Sequence, residues 1–216
     1  ESLQLHLDTD NLFDIDLKSV RRRILKNISV DKAEVTYRFP DTIAVNYSEK
    51  RPIARLSSQT LIDKNGFVLP EGRTDLILPQ VFSSRIHKPG SSISSKVEDE
   101  NIKADNESIL NALNFIVFNE TFRMSYKTAD QFIGHKEFAS MELLKVKSVS
   151  QHDPDALTIM LGGVPEVKLA DNTRLKVPID NIELGIRRAC ISIIQNAMAN
   201  KITRKIDARY NSTATE

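Results

Sequence analysis

The sequence has no tryptophan, one cysteine, seven glycines and no run of apolar residues long enough to cross a bilayer. Each scarcity removes a class of function. A single thiol, Cys190, cannot close an intramolecular disulfide and cannot form a cysteine-based zinc site, since both need at least a pair. It falls within a helical apolar pattern and reads as a small core side chain. A membrane helix needs about 18 or more consecutive apolar residues. No window provides them, and no charged-then-apolar signal sequence opens the chain. An excess of one charge is also missing: 30 Lys and Arg against 29 Asp and Glu leave a formal net charge of +1, too little for a field that gathers nucleic acid.

Catalytic patterns are equally scarce. His6, His87, His135 and His152 are scattered, without a second His or a carboxylate at metal-ligand spacing. Gly162-Gly163 lacks the later glycine and the Lys-Ser/Thr of a nucleotide loop and reads as a turn between strands. No Gly-x-Ser-x-Gly elbow occurs. The carboxylate groups Asp8/Asp10, Asp14/Asp16 and Glu98/Asp99/Glu100 sit at element ends or in polar loops, where solvation explains them better than acid–base chemistry. Arg21-Arg22-Arg23 with Lys18 and Lys26 suggests a basic patch, but successive helix positions point about 100° apart, so the triplet alone makes no tight cluster. The expectation is a protein that is not an enzyme, with no catalytic residue, no metal and no cofactor.

What is present is the composition of a globular protein: 216 residues, 40% hydrophobic and 27% charged. The periods predict an α+β chain of two domains. Leu3, Leu5 and Leu7 alternate as a short strand. From Asp16, placed as an N-cap, Leu17, Val20, Ile24 and Leu25 recur at helical spacing with the basic residues mostly on the wet side. Ala33, Val35, Tyr37 and Phe39 then alternate, Pro40-Asp41 breaks the run, and Ile43, Val45 and Tyr47 resume it, which predicts a hairpin covering the helix.

Beyond that unit, Leu61–Leu69 reads as a hairpin turning at Lys64-Asn65-Gly66, and an extended piece covers Leu76–Val81. A mobile Ser-rich and charged loop spans about 83–105. A helix follows over Asn106–Arg123, then strand-like runs at Leu143–Val149, Ala156–Leu161 and Glu166–Leu169. The next helix spans Asn181–Asn200, with Asp180 and Glu183 at capping-box spacing, and a strand from Lys205 to Tyr210 or beyond ends the chain. A mixed sheet packed with two helices is the expected second domain.

The stretch from Ala33 to Leu56 resembles the POTRA domain of the FtsQ/DivIB family, with Phe39-Pro40-Asp41 after one strand and Glu49-x-x-Pro52-Ile53-Ala54 at the end of the next. Asn11-Leu12-Phe13-x-Ile15-Asp16-Leu17, Leu61-Ile62-Asp63-x-x-Gly66, Leu78-Pro79 and Ile206-Asp207-x-Arg209-Tyr210 resemble further family segments. The resemblance implies a POTRA domain over 1–57 and an FtsQ-type β domain over 58–216. It implies a cell-division scaffold held at the inner membrane by a single helix absent from this sequence, with this part on the periplasmic side. Its partners would be FtsB-like and FtsL-like proteins and other divisome members, with no nucleic acid. The positions matching the family's partner edge are Tyr210, Asn211, Ser212 and Thr213; Val35 and Tyr37 lie on the strand the family uses for recruitment, though their alternation also suits core packing. Two alternatives stay open: a POTRA protein of outer-membrane assembly or secretion, and, from another class, a periplasmic wall hydrolase.

Overall fold

Residues 14–56, 60–71, 77–94, 97–126, 144–210 and 214–215 are described by a computed structural model. The expected strand at Leu3–Leu7 lies outside them, as do Asn211, Ser212 and Thr213. The chain divides into two compact units, Glu1–Arg51 and Pro52–Glu216.

In the first unit, Asp16 ends the extended entry and its carboxylate accepts from Lys18 N at 2.9 Å, capping helix α1 (Leu17–Ile24). Val20 and Ile24, four apart, share the buried stripe. They pack on Val30 and Ala33 of strand β1 (Val30–Arg38), with Ile15, Val35 and Val45 at the margin. Strand β2 (Thr42–Glu49) pairs antiparallel with β1, setting Val35 opposite Val45 and Tyr37 opposite Ile43. The turn between them contains a cis Phe39–Pro40 peptide. This is the expected helix and hairpin. Burying an aliphatic side chain such as Ile24 is worth about 1.5–3 kcal/mol, and among the described residues of this unit four hydrophobic side chains are buried, Val20, Ile24, Val30 and Ala33.

The second unit is a nine-stranded mixed sheet. Its strands are β3 (Pro52–Arg55), β4 (Thr60–Asp63), β5 (Val68–Pro70), β6 (Gln80–Val81), β7 (Val146–Asp153), β8 (Ala156–Leu161), β9 (Leu169–Pro178), β10 (Thr203–Asp207) and β11 (Ala214–Thr215). They lie in the order β11-β10-β9-β8-β7-β6-β3-β4-β5. Pro52–Arg55, read from the sequence as the tail of the first domain, pairs with β4 and β6 inside this sheet and buries Ile53 and Ala54. Helices make two of the three parallel crossovers, α2 (Glu100–Tyr126) between β6 and β7 and α3 (Ile182–Met198) between β9 and β10, while β3 reaches its parallel neighbour β6 by way of β4 and β5. Phe115, Ile109 and Leu113 of α2 and Ile186 and Ile193 of α3 meet Leu157, Ile159, Leu175 and Val177 of the central strands in one core.

Several boundaries differ from the sequence reading, each for a local reason. The run expected as a strand at Glu166–Leu169 is a 3-10 turn over Pro165–Val167, ended by Lys168 at φ 53°. The strand it was taken for begins at Leu169 and runs to Pro178; Asp171-Asn172-Thr173 disguise it, because Asn172 adopts φ 59° and breaks the alternation. Helix α2 starts at Glu100 rather than Asn106, since Asp99 accepts from Asn101 N at 2.9 Å. The cap of α3 is Asn181, accepting from Leu184 N at 3.0 Å, and not Asp180.

The segment expected to be a mobile loop is instead pinned where it is described. Val68 N donates to Ser91 O at 2.9 Å, Gly90 N to Val68 O at 2.8 Å and Ile93 N to Gly66 O at 2.8 Å, while Ile93 is buried. The β4–β5 turn beneath it is as expected: Gly66 sits at φ 76°, and Asp63 accepts from Asn65 N and Phe67 N, both at 2.8 Å.

Candidate functional site

The C-terminal end of the sheet concentrates the charged side chains. Strand β10 runs parallel to β9, with Ile206 opposite Leu175 and Asp207 opposite Lys176, and Ala208 N extends the pairing to Lys176 O at 2.9 Å. On its other side β10 takes β11 antiparallel, with Ile206 opposite Thr215 and Asp207 opposite Ala214 among the described residues. The sheet therefore ends on a strand of two residues. Beneath it, the buried Thr173 hydroxyl faces Thr203 O at 3.0 Å, and Asn196 of α3 donates to the Thr203 hydroxyl at 2.9 Å. These bonds fix β10 to the helix and to β9.

Around this edge, Asp207 and Arg209 form a two-pronged pair, Nε to Oδ1 at 2.9 Å and Nη2 to Oδ2 at 2.7 Å. The Arg209 hydrogen bonds hold the Asp207 carboxyl below the usual range, and Asp207 in turn raises the guanidinium further above its own. Lys176 meets Asp153 at 2.6 Å and holds that carboxyl down as well, and Arg209 lies 4.0 Å from Asp153. From α3, Arg188 donates to Arg209 O at 3.0 Å and to Ala208 O at 3.4 Å. The backbone leading to Tyr210 is thus clamped from two sides. The Arg209 guanidinium stacks 5.2 Å from the Tyr210 ring centre, and Tyr210 remains 59% exposed.

Of the residues singled out in the sequence, Tyr210 is placed at this edge, exposed and oriented. Val35 and Tyr37 are on the other unit, on the face of β1 that packs against α1: Val35 borders the small core, and the Tyr37 hydroxyl donates to Ile15 O at 2.6 Å. Both side chains are half-buried. Asp153, Lys176, Arg188, Asp207 and Arg209 were not proposed as site residues. The Asp207-x-Arg209 spacing was the available signal, since residues two apart on an extended chain share a face.

One cluster elsewhere has the residue types of a hydrolase. Ser83 Oγ lies 2.8 Å from His87 Nε2 and 2.7 Å from Asp105 Oδ2. The order is wrong for nucleophilic chemistry. Ser83 and Asp105 both face the same ring nitrogen, His87 Nε2, which lies 3.5 Å from Asp105 Oδ2, whereas a triad sets the carboxylate on the other ring nitrogen. Ser84 adds bonds from N and Oγ to Asp105 Oδ1, at 2.9 and 2.8 Å. Burial lowers the His87 pKa, and hydrogen bonds from Ser84 and Ser83 lower that of Asp105 against its desolvation. This is a staple joining the loop after β6 to α2. Among the described residues, the shifted carboxylates, Asp105, Asp153, Asp171 and Asp207, are all lowered, and none is raised as a general acid at neutral pH requires. No group of three or more His, Cys, Asp or Glu among them is suited to a metal, and no described helix is long and apolar enough to cross a membrane.

Residues 1–50 match the POTRA domain, FtsQ-type. Over 205 residues, 92% of this chain, the sequence is 26% identical to the cell division protein FtsQ of Syntrophotalea carbinolica. The chain spans 64% of the length of that relative.

Proposed function

We propose that the chain, similar to FtsQ over 92% of its length and to the FtsQ-type POTRA domain over residues 1–50, is a member of the FtsQ/DivIB family and a non-enzymatic scaffold of the bacterial divisome. In this reading it binds FtsB-like and FtsL-like partners outside the cytoplasmic membrane and helps control septal wall synthesis. The full-length protein is anchored in the inner membrane by a single helix, with these residues on the periplasmic side.

The observation that carries the reading is the C-terminal sheet edge. Among the described residues β11 is the outermost strand here, and an extended peptide joins a sheet by pairing with the main chain of such an edge. Tyr210, exposed and held by Arg209 stacking and by the Arg188 clamp on the preceding carbonyls, offers an aromatic anchor fixed before binding. Asn211, Ser212 and Thr213 continue the same segment and complete the proposed contact. The surrounding ion pairs supply complementarity to a charged partner.

Binding of an FtsB-like peptide to wild type and Tyr210→Ala tests this. A folded variant that loses about 1–2 kcal/mol or more of affinity is the expected result. Unchanged affinity removes the edge as the site. A pull-down of the full-length protein from its own cells is expected to recover division proteins; outer-membrane proteins instead would favour an assembly or secretion role.

A further inference from the structure

Helix α1 carries a charge pattern that the partner edge does not use. Val20 and Ile24 define its buried side, and the opposite side is set by Lys18, Arg22 and Lys26, every fourth residue. Helical turn geometry continues past Ile24, with Leu25 N donating to Arg21 O at 3.0 Å and Lys26 N to Arg23 O at 3.2 Å, so Lys26 stays in line. All three are exposed. The successive Arg21-Arg22-Arg23 diverge, Arg21 turning inward to Ala33 O at 2.8 Å, yet the spaced triplet forms a stripe along the helix.

The carboxylates nearby stand mostly at one end. Asp14 and Asp16 precede the helix, Asp16 lying 3.6 Å from Arg22, and Asp31 and Glu49 belong to the paired strands. At the other end Lys50 Nζ donates to Ile28 O at 2.9 Å and Val30 O at 2.7 Å, bringing one more cation to the turn after α1, and Arg51 follows it. Two aliphatic side chains emerge there, Leu25 at 39% and Ile28 at 38% exposure.

We propose that the Lys18–Arg22–Lys26 stripe, with Leu25 and Ile28 at its end, is a docking face for an anionic phospholipid surface. The cations match headgroup phosphates, and aliphatic side chains beside them suit the boundary between headgroups and acyl chains. Single-stranded nucleic acid would call for aromatic stacking platforms, which α1 does not carry. The face differs from the C-terminal edge, so its failure leaves the partner-binding reading intact.

The test is co-sedimentation of the 216-residue chain with vesicles of phosphatidylcholine alone and of an equal mixture with phosphatidylglycerol. Three cations near an anionic surface favour the mixed vesicles by about a hundred-fold, and added salt abolishes the preference. The variant Lys18→Gln/Arg22→Gln/Lys26→Gln is expected to lose the preference. Leu25→Ser lowers partitioning to anionic vesicles, and Lys145→Gln/Lys201→Gln in the second unit changes nothing. Equal partitioning of wild type to both vesicles overturns the proposal, whatever the variants do. So does a folded triple variant that keeps the preference, or capture by a glutamate-rich peptide without any by anionic vesicles.

Discussion

At Arg209 one guanidinium engages the Asp207 carboxylate, approaches Asp153 and stacks on Tyr210. The pH dependence follows from the carboxylates. The Asp207 pKa is lower folded than unfolded, so its contribution is present above the unfolded value, about 3.9 for aspartate, and is lost as pH falls through the folded value. Asp207→Asn should lower stability at neutral pH by about 1 kcal/mol or less, because the pair is partly solvated. Urea titrations at neutral pH and below about pH 4 check the sign, since the two proteins converge in acid. A gap that widens on acidification would contradict it. Tyr210 was singled out in the sequence, and the Asp207-x-Arg209 spacing beside it was visible there though not read as a pair. Arg188, Lys176 and Asp153 were not, because they come from α3, β9 and β7, and only the strand order brings them to one place.

Among the elements, α3 and β9 show how closely helix and sheet approach. A Cβ on Gly185 would stand 2.5 Å from Val177 Cγ1 and 2.8 Å from Pro178 Cδ. Gly185→Ala must therefore push the helix off the strand, at a cost of about 1–3 kcal/mol despite alanine's better helix propensity. The midpoint of thermal or urea unfolding measures this; a stabilised variant would show that the helix slides freely. The helices were legible because their apolar stripes recur at the helical period, as Ile186, Ala189 and Ile193 do. Strand β9 was not, since Asp171 serves Gly163 N at 3.0 Å and Lys147 at 2.7 Å, and Asn172 turns left-handed, so polar residues occupy its first half for tertiary reasons. The loop after β6 read as mobile from its composition, but its serines are spent on Asp105 and on carbonyls, which a count of polar residues cannot reveal.

For the molecule as a whole, the α+β class and the mixed sheet follow from the alternation of strand and helix periods, whereas the position of Pro52–Arg55 does not. That strand reads as the end of a hairpin and lies between β4 and β6. Two separate cores of unequal size predict two unfolding steps. The first unit, of 51 residues against 165 and with Val20, Ile24, Val30 and Ala33 buried among its described residues, is expected to open at lower denaturant than the second. Hydrogen exchange is the check: amides of 30–49 should exchange sooner than those of 156–177, and equal protection would refute it. The two ends of the large sheet are unlike. At β5 the segment around Ser91 and Ile93 already occupies the outer hydrogen-bonding groups of Val68, while the described part of β11 is the last strand at the other end. A sheet blunted on one side can lengthen in one direction only. On the proposed reading, strand addition to this large sheet is self-limiting: its described residues offer one edge, and so room for one peptide strand.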